Sequence, residues 1–142
     1  GIPPYLVSAT VIGVLAQRLV RTLCPACRQR DETMNRALLE SVVAPWRVSG
    51  PSRPYRAVGC LECRHTGYRG RAGLYELLQL DTTMQTHLHP TPDIDALRRS
   101  AVKAGMQPLR LAGVSKVAEG LTTLDEVLRA TPAIDQGSPA ST

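Results

Sequence analysis

Two pairs of cysteines constrain this chain more than any other feature: Cys24-Pro25-Ala26-Cys27 and, after residues 28–59, Cys60-Leu61-Glu62-Cys63. They are the only 4 cysteines in 142 residues. A C-x-x-C turn aims two thiolates at one point, and two such turns supply the four sulfurs of a tetrahedral structural zinc shell. Metal binding of this kind contributes roughly 10–16 kcal/mol of apparent folding free energy in small zinc domains. The spacing therefore predicts a module from Cys24 to Cys63, closed at its base by Zn2+ on Cys24, Cys27, Cys60 and Cys63. A disulfide framework also uses an even number of cysteines, but it belongs to secreted chains. A thioredoxin-like site needs a single C-x-x-C in a βαβ setting, which two matched pairs argue against. His65, two residues past Cys63, is a candidate substitute ligand. With four thiolates to hand, the plainer reading makes it a loop residue.

The apolar fraction of 43% comes with no Phe, 1 Trp and 4 Tyr, so each residue offers little core area. Small sub-modules, or a piece of a larger body, are the expected result. Net charge is +5 and the isoelectric point about 9.4, compatible with acidic proteins, anionic lipid or nucleic acid and selecting none of them. The uncharged stretch from Pro3 to Ala16 falls short of the roughly 20 residues needed to span a bilayer. With no leader pattern visible, the default location is cytoplasmic. The opening lacks Met and runs almost at once into an apolar stretch, which suggests the C-terminal piece of a longer protein.

Pro3-Pro4 permits a helix start, and Ala9, Ile12, Ala16 and Leu19 recur at helical spacing, with Leu19–Leu23 as a short strand into the first cysteine turn. Asp31 is placed to cap a helix over Glu32–Val43, which Pro45 ends. Trp46–Val58 reads as irregular, with Trp46 as packing or as cover for the metal loop. The glycines at 67, 70 and 73 serve turns and close backbone approach and precede Leu74–Leu80, a strand by pattern with a helix as the alternative. A phosphate-binding loop, G-x-x-x-x-G-K-[ST], does not occur. From Asp81 onward the pattern is a small helical bundle. Asp81 caps Thr82–His89, Thr91-Pro92 opens a helix ending near Gly105, and Pro108 opens one ended by Gly120. Thr123-Leu124-Asp125-Glu126 forms a capping box for the last helix, and Ala133–Thr142 is expected to be disordered.

No catalytic constellation is visible. His87 and His89 read as solvated, and four cysteines on one metal leave no open coordination position. Arg64, Arg69 and Arg71 form a basic patch that is either a solvated loop face or an anion-seeking surface. The chain alone is expected not to be an enzyme.

Two longer strings go beyond generic zinc chemistry. Pro4-Tyr5-Leu6-Val7-Ser8, continuing from Gly13 to Cys27, closely resembles the assembly ATPases of type II secretion and type IV pilus systems. Gly59 to Leu78 resembles the same family's second metal turn and following strand, and the likeness extends over about residues 1–131. It implies an α+β, mostly helical fold in four parts: the end of a RecA-like ATPase core (1–23), the tetracysteine zinc module (24–73), a strand and helical C-terminal domain (74–132), and a tail (133–142). It further implies a parent that is a hexamer on the cytoplasmic face of the inner membrane. That parent binds ATP and Mg2+ and works with an inner-membrane platform protein to add pilin or pseudopilin subunits. Of the family's functional positions only Cys24, Cys27, Cys60 and Cys63, as zinc ligands, have counterparts here. The alternative from another class is a zinc-ribbon-like nucleic-acid-binding module. Its support is the net charge of +5 and the Arg-rich loop after Cys63, and against it stands the lack of interleaved aromatics for stacking.

Overall fold

The computed structural model describes residues 2–44, 54–89 and 91–132. Trp46 and the tail from Ala133, both given roles above, lie outside them. The order is α1 (Pro4–Thr10), β1 (Gly13–Leu23), β2 (Gln29–Arg30), α2 (Arg36–Val43), β3 (Tyr55–Arg56), a 3-10 turn (Leu61–Cys63), β4 (Tyr68–Gln79), α3 (Thr82–Gln85), α4 (Ile94–Lys103), α5 (Leu109–Ala118) and α6 (Leu124–Ala130). The fold is thus mixed α+β. β1 pairs with β4, and β2 pairs antiparallel with β3, Gln29 opposite Arg56 and Arg30 opposite Tyr55. Gly13 lies beside Leu78, and Thr22 donates its hydroxyl to the Arg69 carbonyl, so β1 and β4 also run antiparallel.

The long first helix expected to run past Ala16 is not formed. α1 stops at Thr10, where the side chain turns back to the Leu6 carbonyl at 2.6 Å. Beyond it come Val11, Ile12, Gly13 and Val14, a stretch rich in β-branched residues that favours extended backbone. Residues apolar on every side fit a strand as well as a buried helix, and the strand prevails from Gly13 to Leu23. The expected strand at 19–23 is its last part. β4 likewise begins six residues before Leu74, because Gly70 takes φ +88° inside the strand instead of ending a loop. A side chain there would press on the Thr22 hydroxyl at 3.0 Å.

Helix starts shift where another cap is better placed. Asp31 binds Thr33, backbone at 2.9 Å and hydroxyl at 2.8 Å, in a local turn, and Asn35 caps α2 by accepting from the Leu38 N–H at 3.0 Å. Asp81 does cap α3, accepting from the Met84 N–H at 2.8 Å, but that helix ends at Gln85. Asp93 caps α4, two residues after the expected Thr91. The turn that closes α5 falls as expected at Gly120, two residues past Ala118; its φ of +70° allows the Gly120 N–H to reach the Val117 carbonyl and the Leu121 N–H to reach the Lys116 carbonyl, both at 3.0 Å.

The chain divides into two compact units, Gly1–Ala16 with Tyr75–Pro108, and Gln17–Leu74 with Leu109–Thr142. In the first, Leu80, Met84 and Ala101 form a core packed by Val11, Leu78, Leu88, Leu97 and Met106. In the second, Leu39, Val42 and Val43 of α2 pack on Val114 of α5 and Leu124 of α6. The four cysteines belong to the second unit. No helix among the described residues is long and apolar enough to cross a membrane.

Candidate metal centre

The first cysteine pair sits in a tight turn directly after β1. The Cys24 carbonyl accepts from the N–H of Cys27 at 3.2 Å and of Arg28 at 2.9 Å, which folds both thiols to one side. The second pair brackets the 3-10 turn, where the Cys60 carbonyl accepts from Cys63 at 3.3 Å and from His65 at 2.8 Å. Arg64 and His65 close this turn in the left-handed region, φ 54° and 59°. A backbone bond from the Cys24 N–H to the Gly67 carbonyl, 2.9 Å, ties the two turns together.

All four Sγ atoms lie within 4.8 Å of one another. Cys24–Cys60 is 3.9 Å, and Cys27–Cys63 and Cys60–Cys63 are both 3.8 Å. Sulfurs placed tetrahedrally about 2.3 Å from a common centre stand about 3.8 Å apart, so these separations suit a four-thiolate metal shell. They are far beyond the roughly 2.05 Å of a disulfide, and all four cysteines are free thiols.

The electrostatics of the cluster are uneven. Burial raises the Cys63 thiol, but N–H groups of Cys60 and Gly67, each 3.2 Å from Sγ, together with the Cys60 and Cys27 thiols, outweigh it and bring it to about 6. Cys27 is pushed up to about 11 by burial and its sulfur neighbours, against one lowering bond from the Gly59 N–H at 3.3 Å. Amide donors aimed at sulfur favour the thiolate, the form that ligates metal. His65 is exposed and lies outside the group of four cysteines. Arg64, Arg69 and Arg71 are exposed too, and Arg69 pairs with Glu62 at 3.3 Å. Of the two other histidines His89 is exposed and His87 half-buried.

Spacing gave no sign of how closely the loop between α5 and α6 packs against this region. Arg28 donates to the Gly120 carbonyl at 2.6 Å with its guanidinium 4.9 Å from the Tyr55 ring centre. Leu23 N–H meets the Leu121 carbonyl at 2.8 Å, and the buried Thr122 hydroxyl donates to the Arg21 carbonyl at 2.8 Å. Thr123 caps α6 through the Glu126 N–H at 3.4 Å and meets the Tyr68 hydroxyl at 3.0 Å. The capping box is only half made. The Glu126 carboxylate accepts instead from Arg21: Nη2 at 2.6 Å, Nε at 3.0 Å and the backbone N–H at 3.2 Å. The available signal was a Glu at the third helical position, and nothing in the sequence assigned its partner.

Comparison with known proteins agrees with the resemblance that the two strings carry. The family described as type II/IV secretion system protein matches residues 1–129. A type IV pilus assembly ATPase, TfpB, of Acinetobacter baylyi is 42% identical over 132 residues, covering 93% of this chain and 22% of its own length. The type II secretion system ATPase E of Vibrio cholerae is 42% identical over 133 residues, covering 92% of this chain and 25% of its own. The type II secretion system protein E of Pseudomonas aeruginosa is 45% identical over 133 residues, with the same 92% and 25% coverage. The chain thus spans about a quarter of the length of these relatives. With a match over nearly its whole length, the chain belongs to the type II/IV secretion system protein family.

Proposed function

We propose that this chain is the zinc-binding and C-terminal helical part of an ATPase that powers assembly of a pseudopilus or pilus, with Cys24, Cys27, Cys60 and Cys63 as the ligands of one structural Zn2+. The observation that carries the reading is the meeting of four free thiols within 4.8 Å in a chain of this family. Four thiolates suit the borderline-soft Zn2+ and close its coordination sphere, so the ion would cross-link two loops and perform no reaction. On this reading residues 1–23 end a RecA-like core, 24–73 are the metal module, and 74–132 are the strand and helical domain. ATP and Mg2+ are then handled by other parts of the whole protein, a hexamer at the cytoplasmic face of the inner membrane. The metal module shapes a surface for the membrane platform protein or a neighbouring subunit.

Mass spectrometry of the purified chain under native conditions, before and after chelation, tests the metal assignment. One zinc per chain is the expected result, lost in Cys24→Ser and Cys60→Ser. Metal-free protein of unchanged circular dichroism would remove zinc from the proposal. In the whole protein the same substitutions should impair assembly more than ATP hydrolysis. Normal assembly by a zinc-free variant would overturn the docking role.

A further inference from the structure

We infer that the loop Gly120–Thr123 between α5 and α6 is a wall of the metal centre, with Arg28 and Thr122 as positioning residues for the cysteine turns. Metal affinity and the seating of the α5–α6 pair are then coupled. The inference rests on the four cysteines holding a metal and adds what holds them in place.

Three bonds between main chain and main chain or side chain stitch this loop to the segment that carries Cys24 and Cys27. Thr122 reaches the Arg21 carbonyl and Leu121 pairs with Leu23, so the loop grips the last residues of β1 immediately before Cys24. Arg28 grips the Gly120 carbonyl immediately after Cys27. The first cysteine turn is thus held on both flanks by one four-residue loop. Gly120 also fixes how near the loop sits. A Cβ at that position would meet the Tyr55 ring at 2.8 Å, and its φ of +70° disfavours any side chain. The Arg28 guanidinium lies over the same ring, in the direction that suits both the aromatic face and the carbonyl-rich end of α5. The second cysteine turn is reached too, since Tyr68, next to Gly67 whose N–H and carbonyl bind Cys63 and Cys24, meets Thr123.

Rigid placement of ligands before metal binding lowers the ordering cost of the site, so loosening the loop must weaken metal binding. By linkage, metal removal must loosen the loop and the helices it joins by the same free energy. The experiment is a zinc competition titration against a chromophoric chelator on the full chain, with hydrogen exchange measured on zinc-loaded and zinc-free protein. Arg28→Ala and, separately, Thr122→Val are expected to weaken zinc binding by at least about fivefold, the low end of common couplings. Arg28→Lys, which can still donate to Gly120, should recover part of the loss. Chelation of the wild type should speed exchange over residues 114–128, beyond the cysteine loops themselves. Unchanged zinc affinity in both variants, or exchange over 114–128 indifferent to zinc, would overturn the coupling while leaving the zinc site standing. A wild-type chain that takes up no zinc would overturn the metal reading itself, and this inference with it.

Discussion

Glu126 keeps a carboxylate at 8% side-chain exposure, where an unpaired charge would be costly. Arg21 meets it in a two-pronged pair, Arg129 adds a third guanidinium contact at 3.1 Å, and the Arg21 guanidinium lies 4.1 Å from the Tyr68 ring centre. The Arg21 hydrogen bonds hold Glu126 below its ordinary value of 4.5, outweighing the effect of burial. A carboxylate with a lowered folded pKa stabilises the fold above its unfolded value, and that contribution disappears as pH falls through the folded value. The expected loss therefore begins below about pH 4.5 and grows on further acidification. Glu126→Gln should cost about 1–3 kcal/mol at neutral pH, limited by the 44% exposure of Arg21, which stays hydrated when its partner is gone. Urea unfolding of both proteins at several pH values checks this. Their stabilities should converge in acid, and a constant gap down to the lowest pH would show that the Glu126 charge contributes nothing. At this scale the sequence was most informative about the cysteines, because a turn dictates their spacing locally. Glu126 looked like half of a capping box, and its partner Arg21 lies far away in sequence, where no local pattern points.

Helices α5 and α6 meet at Gly113. A Cβ there would lie 2.3 Å from Val127 Cγ1 and 2.9 Å from Cγ2, and Val127 is fully buried. In an exposed helix Gly→Ala gains about 1 kcal/mol of helix propensity. Here overpacking, which commonly costs about 1–3 kcal/mol, opposes that gain against a side chain with nowhere to move. Gly113→Ala is therefore expected to be net destabilising by up to about 2 kcal/mol, and Gly113→Ala with Val127→Ala should be less damaging than the sum of the two singles. Chemical denaturation of the four proteins reads both quantities, and a stabilised Gly113→Ala would show that the helices do not approach so closely. Elements were legible where a terminus carries its own chemistry. Asp81, Gly120 and Thr123 each mark a boundary the structure keeps. The first helix was misjudged because its evidence was apolar periodicity alone. A run apolar on all sides has no single period, so Val11–Val14 decided for a strand through β-branching and pairing with β4, which is remote in sequence. Similarly, Asp31 lost its helix to Asn35 because a short side chain satisfied by Thr33 gains nothing from capping.

For the whole molecule, the division into units separates what depends on the cysteines from what does not. The core of the first unit, Leu80, Met84 and Ala101, is packed by residues from α1 to β1, the end of β4, α3 and α4, none of them in the cysteine turns. Two polar ties lie within it: Gln85 donates to the Ser8 carbonyl at 3.1 Å, and the Leu80 N–H to the Ile12 carbonyl at 3.0 Å. The second unit differs. Cys24 and Cys63 are among its buried residues, and the loop after α5 binds the flanks of the first cysteine turn. Chelation should accordingly be felt unequally. Exchange over α4 and around Met84 should change by less than about threefold on removal of the proposed zinc, well under the roughly 1.4 kcal/mol that a tenfold change would mean, while exchange over α5 and α6 accelerates more. If α4 lost protection together with α6, the two units would unfold as one. The metal would then stabilise the entire chain, and the first unit's own core would be too small to hold α4 alone.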